Sequence, residues 1–358
     1  MTTATRKVKK EIPAHEARAE AQRIAFGPVL FMACWTMQRK GLFDLLFKAG
    51  TEGITQMELA AESGLSPYAI KVLADMALTS GVLHEREGRL TLTNTGLMLA
   101  TDKMTQANMD FVGDVCYQGM WHLEEALEAG RPAGLKVFGE WPTVYRALAE
   151  LPQHVRRSWF EFDHFYSDHS FPPAMDIVFA SAPRQIMDVG GNTGKWAISC
   201  LRRDPKVRMT VVDLPGQLVE VERNVAKAGF ADRLTTVTAD MLDPNSRLPE
   251  GADIIWMSQF LDCFSEDEVV AILQKARSAM GPNTSVYIME TFIDRQRFEA
   301  ASFCLAGTSL YFTAIANGNS RMYRAEDFKP LVERAGLRVA EEHDHVGQGH
   351  SIWRCVRA

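Results

Sequence analysis

Five short apolar segments in the second half of the chain alternate with stretches of helical pattern, and this alternation restricts the fold more than any other feature. The segments are RQIMDVG, RMTVVDL, LTTVTAD, ADIIWMSQ and TSVYIMET. Strands separated by helices predict a parallel sheet that is covered on both faces. Two further segments, LRVAEEHDH and SIWRCVRA, are joined by a short glycine-containing turn. A short turn joins antiparallel strands, so the last strand is expected to be reversed.

The N-terminal part of the chain has a different pattern, and 358 residues favour more than one domain. Residues 55–63 and 66–80 read as two helices around a turn at Gly64, with Ser66 as N-cap and Pro67 in the first helical position. A hairpin turning at Glu87-Gly88 follows. The pattern predicts a winged helix that is all-helical apart from its wing. We expect domains at 1–100 and 181–358, with a helical linker and substrate-pocket region at 101–180.

A winged helix can bind DNA or serve as a scaffold for protein contacts. DNA binding needs clustered Lys and Arg, but the candidate recognition helix balances Lys71 with Asp75, and the chain carries a net charge of -6. Protein–protein contact is therefore the favoured hypothesis, and a transcription regulator is the alternative. Residues 26–47 are apolar on more than one helical face, which predicts packing on two sides and a homodimer.

Residues 159–179, WFEFDHFYSDHSFPPAMDIVF, are rich in aromatic side chains and histidine. They predict the lining of a pocket for a flat, apolar ligand, with Phe162, Tyr166 and His169 as its residues. A metal site is not expected, because His164 and His169 are five residues apart and do not share a helical face. His343, His345 and His350 flank the final turn and are interpreted as ordinary surface histidines.

Six scattered cysteines without a CxxC pair indicate neither a zinc site nor a disulfide framework. The charged N-terminal lead has no apolar signal segment, and no apolar run is long enough to cross a membrane. These features predict a cytoplasmic protein with neither a membrane nor a nucleic acid as partner.

Three successive strands end in acidic residues, and the first leads into a glycine-rich turn. The segment Asp188-Val-Gly190-Gly191-Asn192-Thr193-Gly194 closes that strand and opens a helix. Asp213, followed by Leu214, lies at the second strand end, where a ribose diol would bind. Asp240 and Met241 follow the third, where they could hold an adenine. Acids in this arrangement predict a nucleoside site without a phosphate, and an acid-lined cleft suits a cationic sulfonium ligand.

The segments DVGGNTG, VVDLP, TADM and ADIIWMSQFLDCFSEDE resemble the S-adenosylmethionine-dependent small-molecule O-methyltransferases of plants and bacteria. The resemblance extends to the N-terminal region, which is similar to that family's dimerisation domain. It implies a Rossmann-like, seven-stranded methyltransferase sheet, an interlocked homodimer, and S-adenosylhomocysteine as product. It also implies a small hydrophobic acceptor, aromatic or polyketide-like, held between domains. Cofactor contacts are expected at Asp188, Gly190, Gly191, Asn192, Gly194, Asp213, Leu214, Asp240, Met241, Ser258 and Gln259.

The same resemblance places Asp262 where the family has its catalytic histidine, and it places Glu290 at one acidic partner of that base. The position of the second partner holds Met322, which we expect in the substrate pocket. Asp262 could act as a base, or it could only orient the acceptor, since methyl transfer chiefly needs alignment. The acceptor atom could be a phenol oxygen or an activated ring carbon. Cys263 is not expected to be a nucleophile. A relative with other chemistry, such as decarboxylation or hydroxylation, is a further alternative.

Overall fold

The structure is a computed structural model, and it describes residues 11–358. The first ten residues of the predicted N-terminal domain lie outside the described part of the chain. The described chain divides into two compact units, the first ending at Gly113 and the second running Asp114–Ala358. Residues 101–113 of the predicted middle region belong to the first unit, and residues 114–180 belong to the second. Within residues 11–358, no helix is long and apolar enough to cross a membrane.

The N-terminal unit contains seven helices in its described part: α1 (Ala14–Ala25), α2 (Gly27–Arg39), α3 (Leu42–Ala49), α4 (Gln56–Ser63), α5 (Pro67–Thr79), α6 (Asn94–Thr101) and α7 (Lys103–Asp110). Its strands are β1 (Ile54–Thr55), β2 (Leu83–Arg86) and β3 (Arg89–Leu92). The predicted hairpin is confirmed, and β1 adds a third antiparallel strand beside β3.

Local sequence explains how the helices of this winged helix begin. Thr55 and Glu58 form a reciprocal capping box at α4, with the Glu58 carboxylate 2.8 Å from the Thr55 backbone nitrogen. Ser66 caps α5 by accepting a hydrogen bond from the Ala69 backbone, and Pro67 fills the first helical position as predicted. The predicted apolar stretch becomes two helices, α2 and α3. Among the residues of α2 only Cys34 and Met37 are buried, so its other apolar side chains are at least partly accessible in one chain.

The second unit contains the helices α8 (Leu123–Ala129), α9 (Val144–Ala147), α10 (Gln153–Val178), α11 (Lys195–Arg203), α12 (Pro215–Lys227), α13 (Glu266–Ala279), α14 (Glu299–Tyr311) and α15 (Ala325–Arg334). Its strands are β4 (Gln185–Val189), β5 (Arg208–Asp213), β6 (Leu234–Thr238), β7 (Ile254–Ser258), β8 (Ser285–Glu290), β9 (Leu337–Val346) and β10 (His350–Arg357). They form one seven-stranded sheet in the order β6-β5-β4-β7-β8-β10-β9. β10 runs opposite in direction to the other six strands and pairs antiparallel with β8 and β9, which confirms the expected reversed last strand.

Side chains of successive strand residues alternate between two apolar clusters. In β7, Ile254 and Trp256 belong to the cluster that includes residues of α10, α11 and α12, whereas Ile255 and Met257 belong to the cluster that includes residues of α13 and α15. This alternation is the two-residue period of a strand buried on both faces. Because both faces are covered, ligands have access at the carboxyl ends of the strands, where β4, β5 and β7 end side by side.

Candidate functional site

The glycine turn between β4 and α11 can be built only with glycine at its first position. Gly190 has φ +78°, and a Cβ there would lie 2.3 Å from the Phe260 ring. A Cβ on Gly191 would lie 2.5 Å from Val211 Cγ1. Asn192 adopts φ 51°, the left-handed conformation that asparagine tolerates better than most residues. Tight packing as well as backbone conformation therefore holds the turn against β5 and the loop after β7.

Asp213 ties this turn to the end of β5. Its Oδ2 accepts a hydrogen bond from the Asn192 backbone at 2.9 Å, and its Oδ1 accepts one from the Leu214 backbone at 2.7 Å. Burial raises the pKa of Asp213, and these two backbone hydrogen bonds oppose the increase. The structure thus brings together the two features that the sequence placed about 20 residues apart.

Asp188, the acidic residue of β4, is buried with one of its carboxyl oxygens unpaired. Only 2% of its surface is exposed, and no described residue donates a hydrogen bond to its Oδ2 atom. Burial, followed by the nearby charge of Asp213, raises the pKa of Asp188 to about 8. A buried carboxyl oxygen without a hydrogen-bond donor favours a cationic ligand, because such a ligand would supply both a compensating charge and a hydrogen bond.

Other polar groups around the turn also lack partners within the described residues. They are the side-chain oxygens of Asn192 and Gln259 and the indole nitrogens of Trp196 and Trp256. All of these residues line one cavity of about 70 Å³, together with Asp163, His164, Ser167, Phe171, Asp188, Gly190, Gly191, Thr193, Lys195 and Ser258. Unpaired acceptors and donors in one small cavity indicate a ligand that offers both kinds of group.

At the end of β6, Asp240 is already engaged by the chain itself. Arg146 of α9 contacts Asp240 Oδ2 at 2.8 Å, and the Leu242 backbone donates to Oδ1 at 3.0 Å. Met241 is buried, and its carbonyl accepts a hydrogen bond from Lys275. The acid and the apolar side chain that the sequence predicted for adenine are therefore adjacent, and Arg146 is an unpredicted neighbour of that position.

The loop after β7 carries Asp262 on a single 3-10 turn, Leu261–Cys263. Asp262 is buried, and burial raises its pKa to about 6. Cys263 donates a weak hydrogen bond from Sγ to Asp262 Oδ1 at 3.5 Å. Burial and the neighbouring Asp262 raise the pKa of the Cys263 thiol well above its ordinary value, so this thiol stays protonated.

Glu290, at the end of β8, holds the backbone of that loop. Its Oε1 accepts hydrogen bonds from the backbone nitrogens of Phe260 at 3.0 Å and Leu261 at 2.8 Å. Its Oε2 is buried and has no partner among the described residues. Burial, then the charge of Asp262, raises the pKa of Glu290 well above its usual range. In this structure Glu290 therefore positions the turn that carries Asp262.

Two tyrosines near Asp262 were not predicted from the sequence. The Tyr145 hydroxyl is buried, and its neighbours Cys263, Tyr311 and Asp262 add to the effect of burial in raising its pKa. Tyr311 accepts a hydrogen bond from Trp159 Nε1 at 2.7 Å. Both tyrosines are far from Asp262 in sequence and lie in segments without a motif, so no local signal indicated them.

Helix α10 supplies a wall of this cavity, whereas the residues predicted for the substrate pocket lie elsewhere and their role stays a prediction. Asp163, His164 and Ser167 line the cavity, whereas Phe162 and Tyr166 are half-buried and pack ring against ring at 5.2 Å. His169 is exposed, with Nδ1 2.6 Å from the Phe165 carbonyl oxygen. Met322 is buried, with its sulfur 3.6 Å from Thr291 Oγ1 beyond the end of β8. Phe162, Tyr166, His169 and Met322 do not line this cavity.

The interpretation of His350 as a surface histidine is wrong. Its side chain is fully buried at the start of β10, and its Nδ1 lies 2.7 Å from Ser170 Oγ of α10. Burial lowers the pKa of His350 to about 4, so it stays neutral at physiological pH. His345 is exposed and His343 half-buried. Within residues 11–358, no group of three or more metal-ligating side chains is placed to hold a metal ion.

A second cavity, of about 580 Å³, lies at the opposite ends of the strands. Its lining includes Arg184 before β4, Asp253 before β7 and Ser285 at the start of β8. Ligands of open parallel sheets bind at the carboxyl ends of the strands, and the glycine turn lies there as well. The smaller cavity is therefore the candidate cofactor site despite its size.

Comparison with known proteins identifies the family. A family model described as an O-methyltransferase domain matches residues 173–338, and one described as a Dimerisation2-like domain matches residues 18–90. A 3-hydroxy-5-methyl-1-naphthoate 3-O-methyltransferase from Streptomyces sahachiroi is 36% identical over 265 residues, which cover 71% of each chain. The chain belongs to the O-methyltransferase family. It is an S-adenosylmethionine-dependent methyltransferase, with S-adenosylmethionine as its cofactor.

Other relatives match this methyltransferase over most of its length. An L-tyrosine C(3)-methyltransferase from Streptomyces lavendulae is 26% identical over 319 residues, covering 88% of this chain and 85% of the relative. The solved structure of the apo form of the S-adenosylmethionine-dependent methyltransferase SibL has a TM-score of 0.72 at 23% identity. That likeness covers 94% of this chain and 98% of the other, and it shows the shared Rossmann-like fold.

The residues around the glycine turn of this methyltransferase fit its cofactor. The unpaired Asp188 carboxylate and the side-chain oxygens of Asn192 and Gln259 can accept hydrogen bonds from a cationic ligand. The turn itself carries no lysine or arginine that would favour a phosphate, and the lysine that follows it, Lys195, is paired with Asp168. An acid-rich site with free acceptors is thus chemically matched to a sulfonium compound that bears an ammonium group.

Proposed function

We propose that this enzyme methylates a small hydroxylated aromatic acceptor, at the hydroxyl oxygen or at an activated ring carbon, and that Asp262 replaces the family's catalytic histidine. Two relatives support the acceptor class. One is named for O-methylation of a hydroxynaphthoate, and the other is named for methylation at C(3) of tyrosine. Both names describe a ring with a phenolic hydroxyl, on which either oxygen or carbon receives the methyl group.

The observation that carries the proposal is the buried carboxyl of Asp262 on a turn that Glu290 fixes through two backbone hydrogen bonds. A buried carboxylate accepts a strong hydrogen bond from a phenol, because water does not compete for it. The Cys263 thiol donates to Oδ1, which favours the ionised form of Asp262. Asp262 can then accept a hydrogen bond from the hydroxyl group of the aromatic substrate.

Asp262 is proposed to orient the acceptor and to act only weakly as a base. Burial raises its pKa to about 6, still well below the value of about 10 for an ordinary phenol. Complete proton transfer before methylation would therefore be unfavourable. The bound cofactor supplies an activated methyl group on its sulfonium, and displacement at such a methyl needs chiefly alignment of the attacking atom. Alignment is what a fixed hydrogen-bond acceptor provides.

We further propose cofactor contacts at the predicted residues. Asp188, Gly190, Gly191, Asn192 and Gly194 would hold the amino-acid end, together with Ser258 and Gln259. Asp213 and Leu214 would hold the ribose, and Asp240 and Met241 the adenine. The enzyme is proposed to act as a homodimer, on the basis of the dimerisation-type domain at residues 18–90 and the accessible apolar side chains Phe26 and Val29.

The acceptor class can be tested with deuterated-methyl S-adenosylmethionine and a panel of hydroxybenzoates, hydroxynaphthoates and tyrosine. Mass spectrometry detects the label, and NMR locates it on oxygen or carbon. The matched control for each compound is the same ring without its hydroxyl group, which should not react. Label on the unhydroxylated rings, or on none of the hydroxylated ones while the cofactor binds, would contradict the proposal.

A further inference from the structure

Asp163 lies on α10 at the cavity beside the glycine turn, and sequence reasoning gave it no role. Its Oδ2 accepts a hydrogen bond from Asn192 Nδ2 at 3.1 Å, so the helix and the turn are joined across the cavity. About a quarter of its side chain is exposed. Asp163 thus faces the same small space as the unpaired Asp188.

No lysine or arginine of the described chain forms an ion pair with Asp163. Its nearest titratable partner is His164, with Nδ1 3.8 Å from Oδ2. Burial lowers the pKa of His164 to about 4, so this ring carries no charge near neutral pH. Lys195 also lines the cavity, but its ammonium is 2.7 Å from Asp168. The cavity therefore holds two acids, Asp163 and Asp188, without a cation of its own to pair with them.

The size of the cavity restricts which part of the cofactor could occupy it. A volume of about 70 Å³ is too small for a nucleoside, because a single water takes about 30 Å³ in the liquid, and it suits a small polar group such as the amino-acid end. The unpaired groups at the cavity are both acceptors and indole donors, as a zwitterion requires. The amino-acid end of the cofactor combines this size with this chemistry.

We infer that Asp163 binds the α-ammonium group of S-adenosylmethionine, opposite Asp188, so that α10 closes the amino-acid end of the cofactor site. This inference rests on the cofactor site proposed above, and it adds Asp163 to the residues that contact the cofactor. The burial that raises the pKa of Asp163 to about 7, together with Asp262 and Asp168, is consistent with an acid that lacks its cationic partner in the free protein. Lys195 and the Asn192 hydrogen bond oppose that increase.

The test compares two ligands that differ only at this end. S-Adenosylhomocysteine carries the amino-acid group, and 5′-methylthioadenosine lacks it. Calorimetry on Asp163→Asn should show S-adenosylhomocysteine weakened by about 10- to 100-fold, the usual effect of losing a charged hydrogen bond. The affinity for 5′-methylthioadenosine should stay within about twofold, because no contact to that ligand is lost. Retained binding of this second ligand also shows that the variant is folded.

The matched control is Asp176→Asn, which removes the same charge from an exposed position on the same helix, away from the cavity. It should alter neither affinity by more than about twofold. Asp163→Ser provides a second, smaller variant and should reproduce the selective loss. Equal weakening of both ligands would show that Asp163 only supports the fold, and unchanged S-adenosylhomocysteine binding would exclude the ammonium contact. Failure of the wild-type protein to bind either ligand would instead contradict the cofactor assignment.

Discussion

Replacing Asp188 with asparagine should make the cofactor-free protein more stable at alkaline pH while it weakens cofactor binding. The Asp188 carboxyl is 2% exposed, its Oδ2 receives no hydrogen bond from the described residues, and its pKa is raised to about 8 by burial and by Asp213. Below about pH 4 the group is neutral in both the folded and the unfolded state. As the pH rises from there to 8, the unfolded chain ionises first, so the free energy of unfolding falls.

The magnitude follows from the two pKa values. At 1.36 kcal/mol for each pH unit, the wild-type protein should lose up to about 4 kcal/mol between pH 5 and pH 8 through this group alone. Asparagine does not ionise and removes this loss, although its unpaired amide costs about 1–3 kcal/mol at every pH. The difference in unfolding free energy between variant and wild type should therefore shift in favour of the variant by several kcal/mol over this range.

The assay is denaturant unfolding of cofactor-free protein at pH 5, 6.5 and 8. Asp253→Asn is the control, because the Asp253 carboxylate accepts backbone hydrogen bonds from Arg184 at 2.7 Å and Gln185 at 2.9 Å. That substitution should destabilise the protein without the same pH dependence. An Asp188→Asn protein whose stability falls with pH as steeply as the wild type would refute the reasoning.

Three further predictions concern the turn, the ribose contact and the dimer. Gly190→Ala should cost about 1–3 kcal/mol of stability and at least about tenfold in S-adenosylhomocysteine affinity, because φ is +78° and the new Cβ would lie 2.3 Å from Phe260. Thermal unfolding and calorimetry measure the two effects, and no change in either would contradict this role of the turn. Asp213→Ala should lower the affinity for S-adenosylhomocysteine by roughly 10- to 100-fold in the same titration, because two backbone donors and the ribose hydroxyls lose their acceptor. Unchanged affinity would rule out Asp213 as the ribose contact. Light scattering at micromolar concentration should report the mass of two chains, and a monomer would overturn the dimer.

Much of the fold could be predicted from local pattern. Acids and glycines at strand ends mark the carboxyl edge of a parallel sheet, and the short turn before β10 fixes its reversed direction. The positive φ of Asn192 was likewise predictable from its place in the glycine turn.

The parts that sequence reasoning missed depend on contacts between distant residues. His350 is buried where it meets Ser170, 180 residues earlier, and this burial keeps it neutral, which no local pattern indicates. Asp163 faces the glycine turn because α10 packs against that turn, and the aromatic run around Asp163 carries no signal for an acid at this cavity. Likewise, Arg146 and Tyr145 reach the site from α9, a helix of four residues.

Asp262 is proposed to hold the aromatic substrate at the cofactor's methyl group, and the turnover of Asp262→Asn distinguishes this role from general-base catalysis. The measurement is kcat with an acceptor found in the labelled-methyl panel, alongside calorimetric affinity for S-adenosylhomocysteine, and the exposed Asp267→Asn serves as the control. An asparagine oxygen can still accept a hydrogen bond from the hydroxyl group of the aromatic substrate. We therefore expect a loss of about tenfold in kcat with cofactor affinity unchanged. A loss of about a thousandfold with intact cofactor affinity would show that Asp262 is a general base, and would contradict the account.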